Sequence, residues 1–407
     1  MRCNTLLLTC VVVGYSLSCV SHGDNQLATN SRAQKQITVL RPVPAVLNEE
    51  THPEVQGTET KIKGAAGEPY EFTHAQFISE NHGWAMSSAS LYRTINAGKT
   101  WELLPKEPEK DARFTSFFFV DESHGWLTAV KQVSAKRYGL GNSSVIMVTD
   151  DGGQSWKEQA SFPNEVVLSE IRFLNTSEGI AVGAQVIDDK PAYYELLVVK
   201  TSNAGNEWNN ISEPAKAAIK NEYGIANDSG RNIQWRPSSM LLLTRYGKVI
   251  RTTDGGKTWE FIASFQDKRP DGVISSTGYH KLALDGDQVR VVAGGMGDEG
   301  YWGDFVVHEH DRWTSYEIAR TPILDAVFVS NNEVLACGLN VVPRDEKRNS
   351  HFKSAGVILR SFDSGKSWQP IYRSRSDETF FFLARAKDRE FYSVSDTGTF
   401  LRFTLPQ

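Results

Sequence analysis

One eight-residue frame recurs along the chain and constrains its fold more than any other feature. The frame is Ser/Thr-x-Asp/Asn-x-Gly-x-x-Trp, and we call each copy a box turn. An Asp or Asn side chain accepts backbone N–H bonds inside a tight turn, the Gly permits a positive φ, and the Trp opens the next strand and buries a large apolar area. The box turns are Thr94–Trp101, Thr149–Trp156, Thr201–Trp208, Thr252–Trp259 and Ser361–Trp368. We therefore predict structural roles for Asn96, Asp151, Asn203, Asp254 and Asp363, and for Trp101, Trp156, Trp208, Trp259 and Trp368.

The spacing of the box turns predicts a closed repeat fold. Successive copies start 55, 52, 51 and 109 residues apart, and the last interval is about twice the others. A degenerate copy is therefore expected near residue 306, where Phe305–Trp313 offers an apolar strand, a polar turn and a Trp. A period of about fifty residues built from short strands is typical of a β-propeller or a solenoid, and four strands per unit favour the propeller.

The end of the chain bears on how the ring closes. Each complete unit contains four strands, A to D, with the box turn between C and D. The last unit offers only three, Phe380–Leu383, Glu390–Val394 and Thr399–Phe403. We predict that the alternating segment Gln36–Arg41 supplies the fourth, because unpaired sheet edges invite aggregation. The predicted fold is all-β: a seven-bladed β-propeller of four-stranded antiparallel blades over 36–407, with its ring closed by this N-terminal strand.

These motifs carry a family resemblance. The box turns are similar to Asp-box, or BNR, repeats. The sequence Gly83-Trp84-Ala85, followed by Arg93 and the first box turn, resembles photosystem II stability/assembly factor-like propellers. The resemblance spans about 70–403 and implies the propeller fold. Asp boxes also occur in sialidases, xyloglucanases and sortilin-type receptors, where they are structural turns, so the shared fold does not by itself transfer a function.

The N-terminus predicts export. Arg2 precedes the apolar segment Leu6–Val13, which indicates a signal peptide over 1–19. Ser16-Leu17-Ser18-Cys19 resembles a bacterial lipobox and implies lipidation of Cys19 at the periplasmic face of the outer membrane. Ordinary cleavage, giving a soluble periplasmic or secreted protein, stays open. Residues 20–35 are small and polar, as in a flexible tether. A membrane contact is expected only through the lipid anchor.

The irregular connections predict which face binds a partner. They fall at B–C positions (Ala129–Ser144, Ala184–Glu195, Gly295–Asp304 and Leu339–Gly356) and at D–A positions (Asn209–Asn232 and Gln266–Gly278). All should gather on the face opposite the box turns, and loops on a rigid scaffold commonly carry binding residues. The candidate partner-binding residues are Tyr301, Trp302, Asp298, Glu299, Arg137 and Tyr138. Tyr301 and Trp302 could instead pack over the blade edge. Ala215–Lys220 is expected to form a short helix.

The sequence offers no catalytic constellation. The arginine cluster and Tyr nucleophile of a sialidase are not recognisable, and a xyloglucanase pairs two propellers around its cleft. His308–Asp311 fits a polar turn better than a metal site, so no catalytic, cofactor-binding or metal-binding residue is predicted. The net charge of −5 without a basic face argues against nucleic acid. We predict an exported, envelope-anchored propeller without catalytic activity, acting as an assembly or stability scaffold for another envelope protein. The alternative is a polysaccharide-binding or glycoside-hydrolase-like protein.

Overall fold

The computed structural model describes most of the chain after the N-terminal segment. The described residues are 37–40, 55–63, 72–105, 112–132, 142–162, 165–189, 192–220, 228–264, 278–285, 288–297, 300–309, 312–319, 321–342, 353–375 and 377–406.

The strands fall into seven sheets, one for each blade. Two strands precede blade 1: β1 (Ile37–Leu40) and β2 (Gln56–Lys61). Blade 1 is β3 (Phe72–Phe77), β4 (Gly83–Ser87), β5 (Leu91–Thr94) and β6 (Glu102–Leu103). Blade 2 is β7 (Arg113–Phe119), β8 (Gly125–Gln132), β9 (Asn142–Thr149) and β10 (Lys157–Phe162). Blade 3 is β11 (Val166–Phe173), β12 (Gly179–Asp189), β13 (Ala192–Thr201) and β14 (Asn209–Asn210), followed by helix α1 (Ser212–Ile219).

Blades 4 to 7 continue in the same order. Blade 4 is β15 (Gly230–Arg236), β16 (Ser239–Thr244), β17 (Lys248–Thr252) and β18 (Glu260–Ser264). Blade 5 is β19 (Gly278–Asp285), β20 (Gln288–Gly297), β21 (Gly300–Glu309) and β22 (Arg312–Ala319). Blade 6 is β23 (Ile323–Phe328), β24 (Val334–Val342), β25 (Lys353–Ser361) and β26 (Gln369–Arg373). Blade 7 is β27 (Phe380–Lys387), β28 (Glu390–Ser395), β29 (Thr399–Thr404) and β2.

The blades form a closed ring, which confirms the predicted seven-bladed propeller. Within each blade the four strands A to D are antiparallel neighbours. Each A strand contacts the A strand of the next blade, and the A strand of blade 7 contacts that of blade 1. The A strands therefore surround a central channel, and the D strands form the outer edges. Apolar clusters fill the spaces between successive blades; one of them joins blade 7 to blade 1.

The box turns have one shared geometry at the C–D corners. In blade 4, Thr252 Oγ1 donates to Asp254 Oδ1 at 2.8 Å and accepts the Gly256 N–H at 3.0 Å. Asp254 Oδ1 also accepts the Thr258 N–H at 2.9 Å. These bonds, above all those from Thr258, lower the pKa of Asp254. The turn thus satisfies its own backbone donors, as its residue types predicted.

The turns contain one feature that the sequence frame did not reveal. Two successive residues have positive φ in all five copies, because the residue before the conserved Gly is also left-handed. It is a Gly in two copies, Gly152 and Gly255, and a residue with a side chain in three, Ala97, Ala204 and Ser364.

The degenerate copy in blade 5 lies at the expected C–D position. β21 and β22 pair as an antiparallel hairpin in which His308 faces Trp313. Their rings stack with centroids 4.4 Å apart, and the Trp313 side chain is fully buried. A stacked ring pair thus stands where blades 1 to 4 and 6 carry a box turn.

The prediction for the N-terminal strand was wrong. Ile37–Leu40 does not join blade 7 but adds to the outer edge of blade 5, pairing in parallel with β22. The fourth strand of blade 7 is β2, antiparallel to β29. Apolar alternation misled the prediction, because outer strands have little to bury: Gly57, Thr58 and Glu59 in β2 are exposed. A polar segment therefore suits this edge.

Two of the predicted irregular connections are regular strands. Ala184–Glu195 belongs mostly to the long hairpin of β12 and β13, and Gly295–Asp304 to that of β20 and β21. Their polar and glycine residues resembled loops, but the strand ladders satisfy their backbone groups. The predicted helix near Ala215–Lys220 is confirmed as α1.

Candidate functional site: the loop face and the channel mouth

Every A strand carries a β-bulge at an equivalent place. The register against the B strand slips by one residue in all seven blades. A bulge bends a strand and redirects a side chain. The residues that resume the pairing after the bulge define a ring around the channel, which we call the channel ring. Its members are His74, Ser116, Glu170, Asn232, Lys281, Asp325 and Phe382.

Channel-ring side chains fasten each blade to the next. In four junctions a ring oxygen accepts the backbone N–H that follows the ring residue of the next blade. The pairs are Ser116 Oγ with Ile171 N at 3.3 Å, Glu170 Oε2 with Ile233 N at 2.8 Å, Asn232 Oδ1 with Leu282 N at 3.0 Å, and Asp325 Oδ2 with Leu383 N at 3.0 Å. The bulges thus free backbone donors that the neighbouring blade satisfies.

Among the described residues, two ion pairs and one further cation lie at or beside the channel ring. Glu170 forms an ion pair with Arg172, and Lys281 Nζ lies 2.5 Å from Asp325 Oδ2. Burial raises the pKa of Glu170 while Arg172 opposes that rise. Arg231, which precedes the channel-ring residue Asn232, is a third cation beside these two ion pairs. Cations from three blades therefore share one confined space.

His74 is kept neutral in this environment. Burial, followed by the charges of Arg172, Lys281 and Arg231, lowers its pKa to about 3. Its Nδ1 lies 3.1 Å from Thr73 Oγ1. An imidazolium here would add another positive charge to a channel that already holds three.

We expect His74→Gln to reduce the acid sensitivity of the fold. Because the pKa of His74 is lower in the native protein than the usual 6.5, stability is fully present above pH 6.5 and falls as the pH drops toward 3. At pH 5 the loss due to this half-buried residue is about 1–2 kcal/mol. Urea unfolding at pH 7 and pH 5 should show this loss in the wild type and a smaller one in His74→Gln. Equal losses of unfolding free energy in both proteins would contradict the assignment of this acid sensitivity to His74.

The face opposite the box turns, which we call the loop face, is uneven. The A–B turns lie on the box face, next to pairs such as Phe77 with Gly83 and Phe119 with Gly125, and most of the extra strand length projects on the loop face. The B strands of blades 2, 3, 5 and 6 have 8, 11, 10 and 9 residues. Those of blades 1, 4 and 7 have 5, 6 and 6. At ~3.3 Å per residue the difference is about 7–20 Å.

The long hairpins therefore form two raised walls on the loop face. Blades 2 and 3 make one wall, and blades 5 and 6 make the other. Among the described residues, a lower strip between them runs from blade 4, across the channel mouth, to blades 7 and 1. A strip of this shape can accommodate an extended chain.

Cationic side chains lie where the lower strip meets the channel. Arg231 is the second residue of its A strand, at the loop-face end, and Arg245 lies in the neighbouring B–C turn of blade 4. Burial, then the guanidinium of Arg245, lowers the pKa of Arg231, while the carboxylate of Glu170 opposes that fall. An acidic ligand would form charge-assisted hydrogen bonds with guanidinium groups at this position.

The sequence-predicted binding residues are only partly placed by the structure. Tyr301 and Trp302 lie in strand β21 rather than in a loop, paired with Met296 and Gly295 of the blade 5 wall. Asp298, Glu299, Arg137, Tyr138 and Cys19 lie outside the described residues. Sequence reasoning missed Arg231 and Arg245 because their proximity depends on the blade 4 fold.

The described part of the chain lacks two features that would indicate other functions. It contains no group of three or more His, Cys, Asp or Glu residues arranged to hold a metal ion. It also contains no helix with the length and apolarity needed to cross a membrane. Cys337 is a buried thiol in β24, and burial raises its pKa.

The fold and the site define a seven-bladed propeller with a charged channel and an uneven loop face. No protein-family model matches the sequence. The chain is 21% identical over 328 residues to the photosystem II stability/assembly factor HCF136 of Arabidopsis thaliana, covering 77% of this chain and 70% of that protein. It is 26% identical over 162 residues to the photosystem II assembly lipoprotein Ycf48 of a Synechococcus strain, covering 39% of each chain.

Solved structures show the same fold. A structure of YCF48 bound to a D1 peptide matches 91% of this chain and all of that one, with a TM-score of 0.56 and 17% identity. A GH74 xyloglucanase from Xanthomonas campestris matches 85% of this chain and 53% of its own, with a TM-score of 0.54 and 13% identity. The resemblance to photosystem II stability/assembly factors is thus found in sequence and in fold, whereas the xyloglucanase shares the fold alone.

Proposed function

We propose that this chain is a non-catalytic assembly or stability scaffold that binds an extended, acidic segment of a partner protein on its loop face. The lower strip between the two walls carries this proposal, because it leads over Arg231 and Arg245 at the channel mouth. The relatives named as assembly factors support the scaffold role. The peptide in the YCF48 structure supports a polypeptide ligand for a propeller of this shape.

The proposal places the protein at the cell envelope. A lipid on Cys19 would hold it at a membrane, with the partner another envelope protein. The signal-like sequence before Cys19 supports this placement, as does the lipoprotein named among the relatives. Mass spectrometry of the exported protein, with and without Cys19→Ser, tests the anchor directly.

Charge removal at the channel mouth tests the binding site. We expect Arg231→Gln with Arg245→Gln to weaken binding of a fluorescent, glutamate-rich twelve-residue peptide about tenfold or more, because each charge-assisted contact contributes about 1.5–3 kcal/mol. Fluorescence anisotropy measures the affinity. The matched control, Lys99→Gln with Lys257→Gln, removes two exposed charges from box turns on the opposite face and should leave binding unchanged.

Two results would contradict this site. One is equal weakening by the control pair, which would indicate non-specific attraction to net charge. The other is unchanged affinity in the Arg231/Arg245 variant when its circular dichroism melting curve shows a folded protein. A glutamine-rich peptide of the same length should bind weakly to the wild type and to both double variants.

Polysaccharide binding or glycoside hydrolysis is the second candidate, and the adjacent aromatic and acidic residues of blade 5 support it. In this reading Tyr301 and Trp302, on the blade 5 wall, would stack on sugar rings beside Asp298 and Glu299. Tyr301→Ala with Trp302→Ala would then abolish retention on a polysaccharide array. Turnover lost on substitution of Asp298 or Glu299 would establish an enzyme and overturn the scaffold proposal.

A further inference from the structure

A buried acid, Asp228, supports the turn that carries Arg245. It lies two residues before β15, at the loop-face end of blade 4, and its side chain is 0% exposed. Asp228 Oδ1 accepts the Ser229 N–H at 2.8 Å and the Tyr246 N–H at 3.2 Å. The backbone N–H of Arg245 donates to the Ser229 carbonyl at 2.9 Å. One carboxyl group therefore joins the turn to the segment that precedes the A strand.

The remaining bonds of this turn determine its shape rather than its position. The Gly247 N–H donates to the Thr244 carbonyl at 3.1 Å, and Gly247 has a φ of 76°. The Lys248 N–H donates to Thr244 Oγ1 at 3.0 Å. These bonds run within the turn itself. The backbone of Arg245 is therefore fixed relative to β15 by the carboxyl group and the carbonyl described above.

The second oxygen of Asp228 is buried beside a cation but beyond hydrogen-bond distance from it. Lys248 Nζ lies 3.8 Å from Asp228 Oδ2 and donates to the Ile219 carbonyl, at the end of α1, at 3.0 Å. Within the described residues Oδ2 accepts no hydrogen bond. A proton on Oδ2 would thus leave the bonds between Oδ1 and the backbone in place.

The ionisable residues of blade 4 near Asp228 are cationic. Lys248 opens β17, Arg245 lies in the turn, and Arg231 is the second residue of β15. Burial raises the pKa of Asp228, while the charge of Lys248 and then the hydrogen bonds from Thr244 and the backbone oppose that rise. The charge of this carboxylate is therefore costly to keep, and it offsets part of the positive charge at the turn.

The neighbouring blade 3 and α1 add a charge pair that is already compensated. The Asp228 N–H donates to the Tyr194 carbonyl of β13 at 3.2 Å. The next residue of β13, Glu195, pairs with Lys216 of α1 at 2.6 Å. Loss of the charge on Asp228 would therefore change the balance of charge at the Arg245 turn.

We propose that Asp228 is a positioning residue that also links binding of an acidic ligand on the loop face to proton uptake. Its carboxyl group holds the Arg245 turn in either protonation state, and its neutral form leaves the cations of the turn uncompensated. An acidic ligand therefore binds more tightly to the protonated form, and by linkage its binding favours protonation. The inference rests on the proposed function, because it concerns the same ligand.

Two neutral replacements test the positioning role. Asp228→Asn and Asp228→Ala both remove the charge, but only asparagine keeps an oxygen for the Ser229 and Tyr246 N–H groups. Fluorescence anisotropy at pH 7.5 should show that the glutamate-rich peptide binds the alanine variant several-fold more weakly than the asparagine variant. Hydrogen–deuterium exchange over residues 244–248 should be faster in the alanine variant alone. Equal affinities, or equal exchange, in the two variants would refute the positioning role.

The pH dependence of affinity tests the link to protons. The probe is a twelve-residue peptide rich in cysteic acid, because its sulfonates stay ionised from pH 7.5 to pH 5. The wild type should gain several-fold more affinity over this range than Asp228→Asn, which should bind more tightly than the wild type at pH 7.5. Burial also raises the pKa of Glu170, but this residue titrates in both proteins and cancels in the comparison. Equal gains in affinity would overturn the link.

A matched control separates Asp228 from net charge. Asp150→Asn removes one exposed carboxylate from a box turn on the opposite face and should change the affinity at neither pH. A gain equal to that of Asp228→Asn would refute the role of Asp228. If Asp228→Ala does not fold, the asparagine variant still decides the link to protons. Absence of peptide binding by the wild type would instead refute the proposed function, and this inference with it.

Discussion

Gly98→Ala is expected to destabilise the propeller by about 3–4 kcal/mol. Gly98 has a φ of 79°, and a Cβ there would lie 2.0 Å from Cε1 of Phe400. A left-handed conformation costs a residue with Cβ about 1–2 kcal/mol, and overpacking adds about 1–3 kcal/mol. Phe400 is buried in strand C of blade 7 and cannot withdraw into solvent. The substitution therefore strains the junction between blade 1 and blade 7.

Its neighbour provides the matched control. Ala97 already adopts a φ of 59°, so Ala97→Gly should leave stability unchanged or raise it by up to about 1 kcal/mol. Guanidinium unfolding followed by tryptophan fluorescence measures both variants. A loss below about 0.5 kcal/mol in Gly98→Ala, the range of ordinary surface substitutions, would show that the box turn tolerates a side chain at this position.

Asp325→Ala should cost about 3–5 kcal/mol, the cost of breaking a buried ion pair. The carboxylate is 1% exposed, pairs with Lys281, and accepts the backbone N–H of Leu383 in the next blade. It also accepts the N–H of Ala326 at 2.8 Å. Removing it leaves one charge and two donors without their acceptor in the space between blades 5, 6 and 7.

A double-mutant cycle separates the contribution of the Lys281–Asp325 ion pair from that of the backbone hydrogen bonds that Asp325 accepts. Lys281→Met alone leaves an unpaired acid, whereas Lys281→Met with Asp325→Leu removes both charges and should recover part of the loss, since paired replacements of buried ions are often tolerated. Asp325→Asn keeps an acceptor for Leu383 and should be less harmful than alanine. Additive losses in the double variant would show that the two side chains act independently.

The repeated turn made most of the fold predictable. The spacing of the box turns gave the number of blades, and it placed the degenerate copy at Trp313, because a closed ring tolerates little variation in the unit. The A strands, which surround the channel, were also recognisable, because many of their residues are apolar on the faces that neighbouring blades cover. Local residue types decided all of these features.

The candidate site was less predictable because it depends on proximity between blades. The proximity of Arg231 to Arg245 follows from the pairing of β15, β16 and β17. The channel ring did leave a signal: a polar residue, such as Glu170 or Asn232, recurs at one position of the A strand in six of the seven blades. Aligning the repeats on their A strands would have found it. The outer strand β2 left no such signal, since its residues bury little.

The pairing of β2 with β29 has a consequence for biosynthesis. Lys61 meets Thr399 across 338 positions of sequence, so the ribosome releases one half of this ladder long before it makes the other. Contacts of such sequence separation slow folding. The nascent protein therefore carries an unpaired β2 until β29 has been synthesised, and a product truncated before β29 could not close the ring.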